Sequence, residues 1–228
     1  MAKGAIVSAN ATGAVNLLYN PYQQAFLQAK RERLSDGRRA YNRLGVFAGR
    51  RGGKTRIGAV GVADELTVPN SLGWACAPSY PELYDYVVPA VFATVPNAWI
   101  KDWSLQHLTL TCHNNARMSF RSLDDPERAR GPGLDWAWLD EARKIAEKAW
   151  NTLLPALIDK RGTAWVTTSP NGFDWNYKRF YLPAYEMEPG FWACKYKTLD
   201  NPAIDASEVA AAKKQLDPLF YQQEFEAD

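Results

Sequence analysis

The run VFAGRRGGKTR, Val46–Arg56, limits the fold more than any other stretch of this 228-residue sequence. It joins an apolar, strand-like segment (RLGVFA, Arg43–Ala48) to a helix-like one (TRIGAVGVADEL) through three glycines and four cations. Strand, glycine-rich turn and helix N-terminus, in that order, make a cradle for phosphate. Gly49, Gly52 and Gly53 permit positive φ and bring amide N–H groups against phosphate oxygens. The following helix directs its positive dipole end at the same anion. Lys54 supplies a point charge for the β- and γ-phosphates, and the Thr55 hydroxyl is a small hard ligand suited to Mg²⁺. Ala48 stands where the phosphate-loop pattern usually has glycine. A flexible basic loop is the plain alternative, but the strand–loop–helix context favours a nucleotide site.

A triphosphate site needs an acid to hold magnesium and a base to orient water. LDWAWLDEA supplies both at the end of an apolar-rich strand. Asp140 is the candidate for the Mg²⁺ shell, and Glu141 for the general base that polarises the attacking water. Successive strand residues point opposite ways, so a turn after the strand has to bring both carboxylates to one place. The competing reading is a pair of acids favouring a helix N-terminus. Asp135, at the start of the run, reads as a capping or surface residue.

Elsewhere the chain alternates strand-like and helix-like segments, which implies a mostly parallel sheet covered on both faces. The pattern predicts a helix from Pro21 closed by Asp36-Gly37. It also predicts a strand over Ser71–Pro78, a helix after it kinked at Pro89, and a hairpin turning at Asn114-Asn115. GTAWVTTSP and FWACKYKTL read as strands; KAWNTLLPALID, DWNYKRFYLPAYE and DASEVAAAKKQL read as helices. Residues 1–19 carry little pattern and are expected to form an extended arm, leaving 20–228 as one domain. Charge is uneven: residues 1–60 hold eleven Lys/Arg against two Asp/Glu, the rest sixteen against twenty-three. That asymmetry suggests an anionic partner for the N-terminal part. The three scattered cysteines and two histidines argue against a disulfide frame, a zinc site or a histidine-based triad. No run is long and apolar enough for a membrane span.

Several ordered segments together resemble the ATPase domain of the large terminase subunit of tailed bacteriophages. They are PYQQAFL, AGRRGGKT, the hairpin and loop leading into LDWAWLDEA, AWVTTSPNG, TLDNPAI and YQQEFEAD. The resemblance implies an α/β fold of the P-loop NTPase (ASCE/RecA-like) kind, with a mostly parallel sheet flanked by helices and a β-hairpin before the Walker B strand. It implies ATP as substrate, with Mg²⁺. Gln23 would contact the adenine. Arg51, with Arg50 second to it, would sit on the γ-phosphate in cis. Arg130, with Arg128 as the alternative, would reach a neighbour's ATP. Thr168 and Ser169 would couple hydrolysis to motion, with Thr167 able to share that role; a strand ending in a Ser-Pro-Asn-Gly turn accounts for the same residues without it.

The implied partners are double-stranded DNA, the small terminase subunit, and the portal protein on which a homo-oligomeric ring assembles in the cytoplasm of the infected bacterium. No membrane partner is implied. Arg31, Arg33, Arg38, Arg39 and Arg43 are candidates for DNA contact by charge alone. Full-length terminases continue into a nuclease, which nothing after Phe225 provides, so no DNA cleavage is expected of this sequence. A helicase-type ATPase, which needs a second RecA-like domain, and a nucleotide-dependent switch or scaffold are the rival readings.

Overall fold

A computed structural model describes residues 8–9, 15–16 and 19–228. The arm expected over residues 1–19 lies outside them, apart from Tyr19 and a short antiparallel pair, β1 (Ser8–Ala9) with β2 (Val15–Asn16).

The centre is an eight-stranded sheet. Its strands are β3 (Tyr41–Ala48), β4 (Leu72–Ala77), β5 (Ile100–Ser104), β6 (Thr109–Cys112), β7 (Arg117–Ser122), β8 (Trp136–Asp140), β9 (Thr163–Thr168) and β10 (Gly190–Tyr196). Their spatial order is β10-β3-β9-β8-β4-β7-β6-β5. The first six in that order run parallel; β6 and then β5 add on at one edge, each antiparallel to its neighbour. The β6–β7 hairpin turns at Asn114-Asn115 as the sequence predicts, with Asn115 at φ 64°. Edge strand β5 was not legible, because IKDWS is half-buried to exposed throughout and has no clean alternation.

Helix α1 (Pro21–Arg31) begins with Asn20, which caps through its side chain, and ends earlier than predicted. Glu32 turns to extended backbone, Arg33 bridges Arg39, and Gly37 at φ 81° closes a tight excursion. Asp36-Gly37 therefore marks the tip of that excursion and not the helix end. Helix α2 (Lys54–Leu66) keeps two interior glycines for a packing reason. A Cβ on Gly58 would stand 2.2 Å from the Trp138 ring. The segment after β4 is helical over 80–92, with a π turn at Leu83–Val87 just before Pro89. The π turn accommodates the missing proline N–H. A last helix, Pro218–Phe225, was not predicted as an element.

Two apolar clusters form, one on each side of the sheet. One gathers Phe26, Leu44, Ile57, Val62, Leu83, Trp136, Trp138 and Trp165. The other gathers Leu139, Trp150, Leu153, Val166 and Phe180. Along β8 the period of two sends Trp136 and Trp138 to the α2 side and Ala137 and Leu139 to the other. Asp140 shares the parity of the tryptophans, which aims it at the start of α2.

Candidate active site

Strands β3, β9 and β8 end side by side, since the register pairs Val46 with Thr167 and Thr167 with Asp140. Open parallel sheets bind ligands beyond these carboxyl ends. A cavity of about 580 Å³ lies there, and Arg51, Lys54, Thr55, Asp140, Glu141 and Arg143 are among its walls.

The loop between β3 and α2 is held rigidly from below. Gly49 donates to the Tyr196 carbonyl at 3.1 Å, Gly52 to the Gly49 carbonyl at 3.0 Å, and Thr198 Oγ1 to the Arg50 carbonyl at 2.8 Å. A Cβ at Gly49 would stand 2.4 Å from Thr198 Oγ1, so only glycine fits. Gly53 caps α2 in the left-handed region at φ 86°, and Arg51 sits there too, at φ 58°. The first amides of α2 have no carbonyl one turn earlier and are free to face an anion.

Lys54 is buried and donates to the carbonyls of Ala48 and Gly49, both at 3.1 Å, and to Ser169 Oγ at 3.0 Å. Burial pushes its ammonium down, with Glu141 and Asp140 pulling the other way. Thr55 Oγ1 donates to Asp140 Oδ2 at 2.8 Å. Thr167 Oγ1 donates to Asp140 Oδ1 at 2.6 Å and accepts from Trp138 Nε1 at 2.7 Å. Burial pushes the Asp140 carboxyl up to about 6, against the pull of the two hydroxyl donors.

Glu141 reaches the same cavity because it leaves the strand in left-handed backbone, φ 46° and ψ 44°. That turn solves the parity problem of adjacent strand residues. Its Oε2 is buried and receives no hydrogen bond, and Arg143 Nε stands 3.5 Å away. Thr168 and Ser169 are both buried: Thr168 Oγ1 accepts from the Arg143 amide at 3.1 Å, and Ser169 Oγ holds Lys54.

The remaining predicted residues are spread more widely. Gln23 lies against the loop. Its Oε1 accepts from the Asn20 amide at 3.1 Å and its Nε2 donates to the Gly53 carbonyl at 3.3 Å. Arg50 lines the cavity, but its Nε donates to Glu224 at 2.7 Å. Arg130 is away from the cavity, 73% exposed, and paired with Glu127 at 2.6 Å. Arg128 pairs with Asp124 at 3.1 Å. Part of the basic surplus of the first sixty residues is paired within the chain. Arg39 donates to Glu65, Arg31 to Asp64, and Arg43 to the Gly162 carbonyl beside the Trp150 ring.

Two residues were missed. Arg143, in LDEARK, has no sequence signal of burial, yet its side chain is only 13% exposed and donates to Glu224 Oε1 at 2.6 Å. Glu224 lies on the Pro218–Phe225 helix, where it and Tyr221 are buried three residues apart. An acid at a core-facing helical position was the available signal.

No group of three or more His, Cys, Asp or Glu side chains suited to a metal occurs among the described residues. The donor set of one hydroxyl and one carboxylate fits Mg²⁺, which keeps waters and phosphate oxygens in its shell and does not require an all-protein cage.

The sheet order inserts β9 between the loop strand and the acid-pair strand. With the glycine cradle, it defines a P-loop NTPase domain of the ASCE/RecA-like kind. The chain belongs to the phage terminase large subunit family, whose model matches residues 102–223. A terminase large subunit of Thermus virus P23-45 is 31% identical over 155 residues, 59% of this chain and 32% of that protein. One of Escherichia phage T5 is 26% identical over 119 residues, 50% of this chain and 27% of that protein. The chain thus spans about a third of the length of the curated relatives it matches. The large terminase ATPase domain of Thermus phage P74-26 superposes with TM-score 0.70 at 21% identity, covering 92% of this chain and 99% of that one. The large terminase of a thermophilic bacteriophage, solved in complex with ATP-gamma-S, superposes with TM-score 0.75 at 13% identity, covering 91% of this chain and 52% of that one.

Proposed function

We propose that residues 20–228 form an Mg²⁺-dependent ATPase motor domain that drives double-stranded DNA into phage procapsids. The observation that carries this reading is the placement of Asp140. Its two oxygens are held by Thr55 and Thr167, beside a buried Lys54 that donates only to neutral oxygens. An anion completes such a site electrically, and the amides of the loop favour phosphate. The large terminase of the thermophilic bacteriophage has been solved with ADP and with ATP-gamma-S, which supports a nucleotide here.

In this reading Lys54 and the loop amides bind the β- and γ-phosphates. Thr55 and Asp140 would hold Mg²⁺, which neutralises charge developing on the phosphate oxygens. Glu141, whose Oε2 accepts no hydrogen bond, takes the proton of the attacking water. Arg51 stands at the cavity in cis, and Arg130, exposed and remote from it, acts across a subunit boundary. Gln23, which lies against the loop at the Gly53 carbonyl, contacts the adenine. Ser169 senses the phosphate through Lys54, and Thr168 passes the change to the Ala142–Lys144 turn through the Arg143 amide. The ring assembles on the portal protein in the host cytoplasm with the small terminase subunit.

The test is Glu141→Gln. Phosphate release should fall by about 10²–10⁴-fold while ATP binding is kept, because only water activation is lost. Turnover above about a tenth of wild type would remove Glu141 from the role. Negligible turnover in both proteins, even with DNA, would favour a nucleotide-dependent switch.

A further inference from the structure

We propose that Arg143 is a further phosphate-binding cation of this chain's own site, beyond Lys54 and Arg51, held in reserve by Glu224. The inference rests on the nucleotide reading above and goes beyond it by naming a residue and the exchange that releases it.

Two guanidinium groups on the cavity wall share Glu224 and differ in exposure. The Arg50 side chain is 59% exposed, whereas that of Arg143 is 13% exposed. Three contacts place Arg143 at the reacting end. Its amide is fixed on Thr168 Oγ1, its Nε faces Glu141 Oε2 at 3.5 Å, and Asp140 and Lys54 share its cavity. Its Nη1 and Nη2 are engaged by Glu224, at 2.6 and 3.5 Å. Glu224 also takes Arg50 Nε, and its main-chain carbonyl accepts the Arg50 amide at 2.6 Å. One buried carboxylate therefore occupies two cations on the wall of an anion site.

The chemistry makes this an exchange and not only a tie. A γ-phosphate offers the same guanidinium fork two or three oxygens and more charge than a carboxylate. When it arrives, Arg143 trades Glu224 for phosphate, and the Arg50 amide bond keeps the helix docked. A purely structural bridge between Arg143 and Glu224 would instead be unaffected by the ligand, and both partners would be needed equally for order.

The two roles give opposite signs. ATP-gamma-S and ADP affinities are measured with Mg²⁺ for wild type, Arg143→Ala, Arg143→Lys and Glu224→Gln. Arg143→Ala should lose about tenfold in its preference for ATP-gamma-S over ADP, the size of one charge-assisted contact, and Arg143→Lys should recover part of it. Glu224→Gln should tighten ATP-gamma-S several-fold and leave ADP unchanged, because the competing charge is gone. Weaker binding of both nucleotides in Glu224→Gln, or an unchanged preference in Arg143→Ala, overturns the inference and leaves the nucleotide site intact. Wild type that binds neither nucleotide overturns both readings. If circular dichroism shows that Glu224→Gln does not fold, the preference ratio in Arg143→Ala and its recovery in Arg143→Lys decide alone.

Discussion

Lys30 and Lys54 are the two lysines buried among the described residues, one near the end of α1 and one at the start of α2. Burial pushes both ammonium groups down from their ordinary value. Their surroundings differ in kind. Lys30 is enclosed by anions: it is paired with Glu65, stands 3.6 Å from Asp64, and lies 4.7 Å over the Trp165 ring. Glu65 is itself shared with Arg39 at 2.7 Å. Lys54 has three neutral oxygens as partners, and the nearby Asp140 spends its own oxygens on Thr55 and Thr167. The first lysine closes its electrostatics within the fold and joins α1 to α2. In the function proposed above, the second has its charge completed by phosphate. A buried charge without a charged partner is expensive, and a protein retains it where a ligand offsets the cost.

Two substitutions test that difference, and the larger effect falls on Lys54. Lys54→Ala should lower ATP turnover by about 10²–10³-fold, as removal of one preorganised charge does. The same change should leave unfolding free energy within about 1 kcal/mol, since no carboxylate loses a direct partner. Lys30→Met should do the reverse. It strands part of the charge on Glu65 and should cost about 3 kcal/mol in urea unfolding, with turnover per folded molecule unchanged. If Lys54→Ala proves the more destabilising of the two, the distinction between a completed and an uncompleted charge is wrong.

The same contrast explains what could be read from the residues alone. Lys54 was legible because its neighbours are glycines placed for backbone reasons, and glycine spacing is a local signal. Asp140 and Glu141 were legible because they end an apolar strand. The sheet followed from alternation of strand-like and helix-like segments, and the Asn114-Asn115 turn from its own chemistry. Lys30 carried no signal of its own, because the acids that bury it, Asp64 and Glu65, lie on another helix. Arg143 and Glu224 failed for the same reason, being joined over 81 residues of chain. Asp36-Gly37 was misplaced as a helix end because a turn signal does not say what it closes. Charge counting also could not tell which of the N-terminal arginines are free, since Arg39 and Arg43 find their partners inside the fold.

The smallest effect lies at the edge of the Lys30 network. Arg31 reaches Asp64 Oδ1 with Nε at 2.9 Å and Nη2 at 2.8 Å, which is good geometry. Its side chain is nevertheless 63% exposed, so water screens the pair. Exposed pairs of this kind contribute about 0.2–1 kcal/mol. Arg31→Ala should therefore cost about 0.5 kcal/mol at low salt, and the loss should shrink as salt is added. Asp64 keeps a cation after the change, because Lys30 is already within 3.6 Å. A double-mutant cycle of Arg31→Ala with Lys30→Met reads that compensation directly. If the two losses simply add, Asp64 serves each cation independently and the buried charge of Lys30 is completed by Glu65 alone. If the double variant loses about 1 kcal/mol more than the sum, Asp64 substitutes one cation for the other, and the closed network extends to the surface.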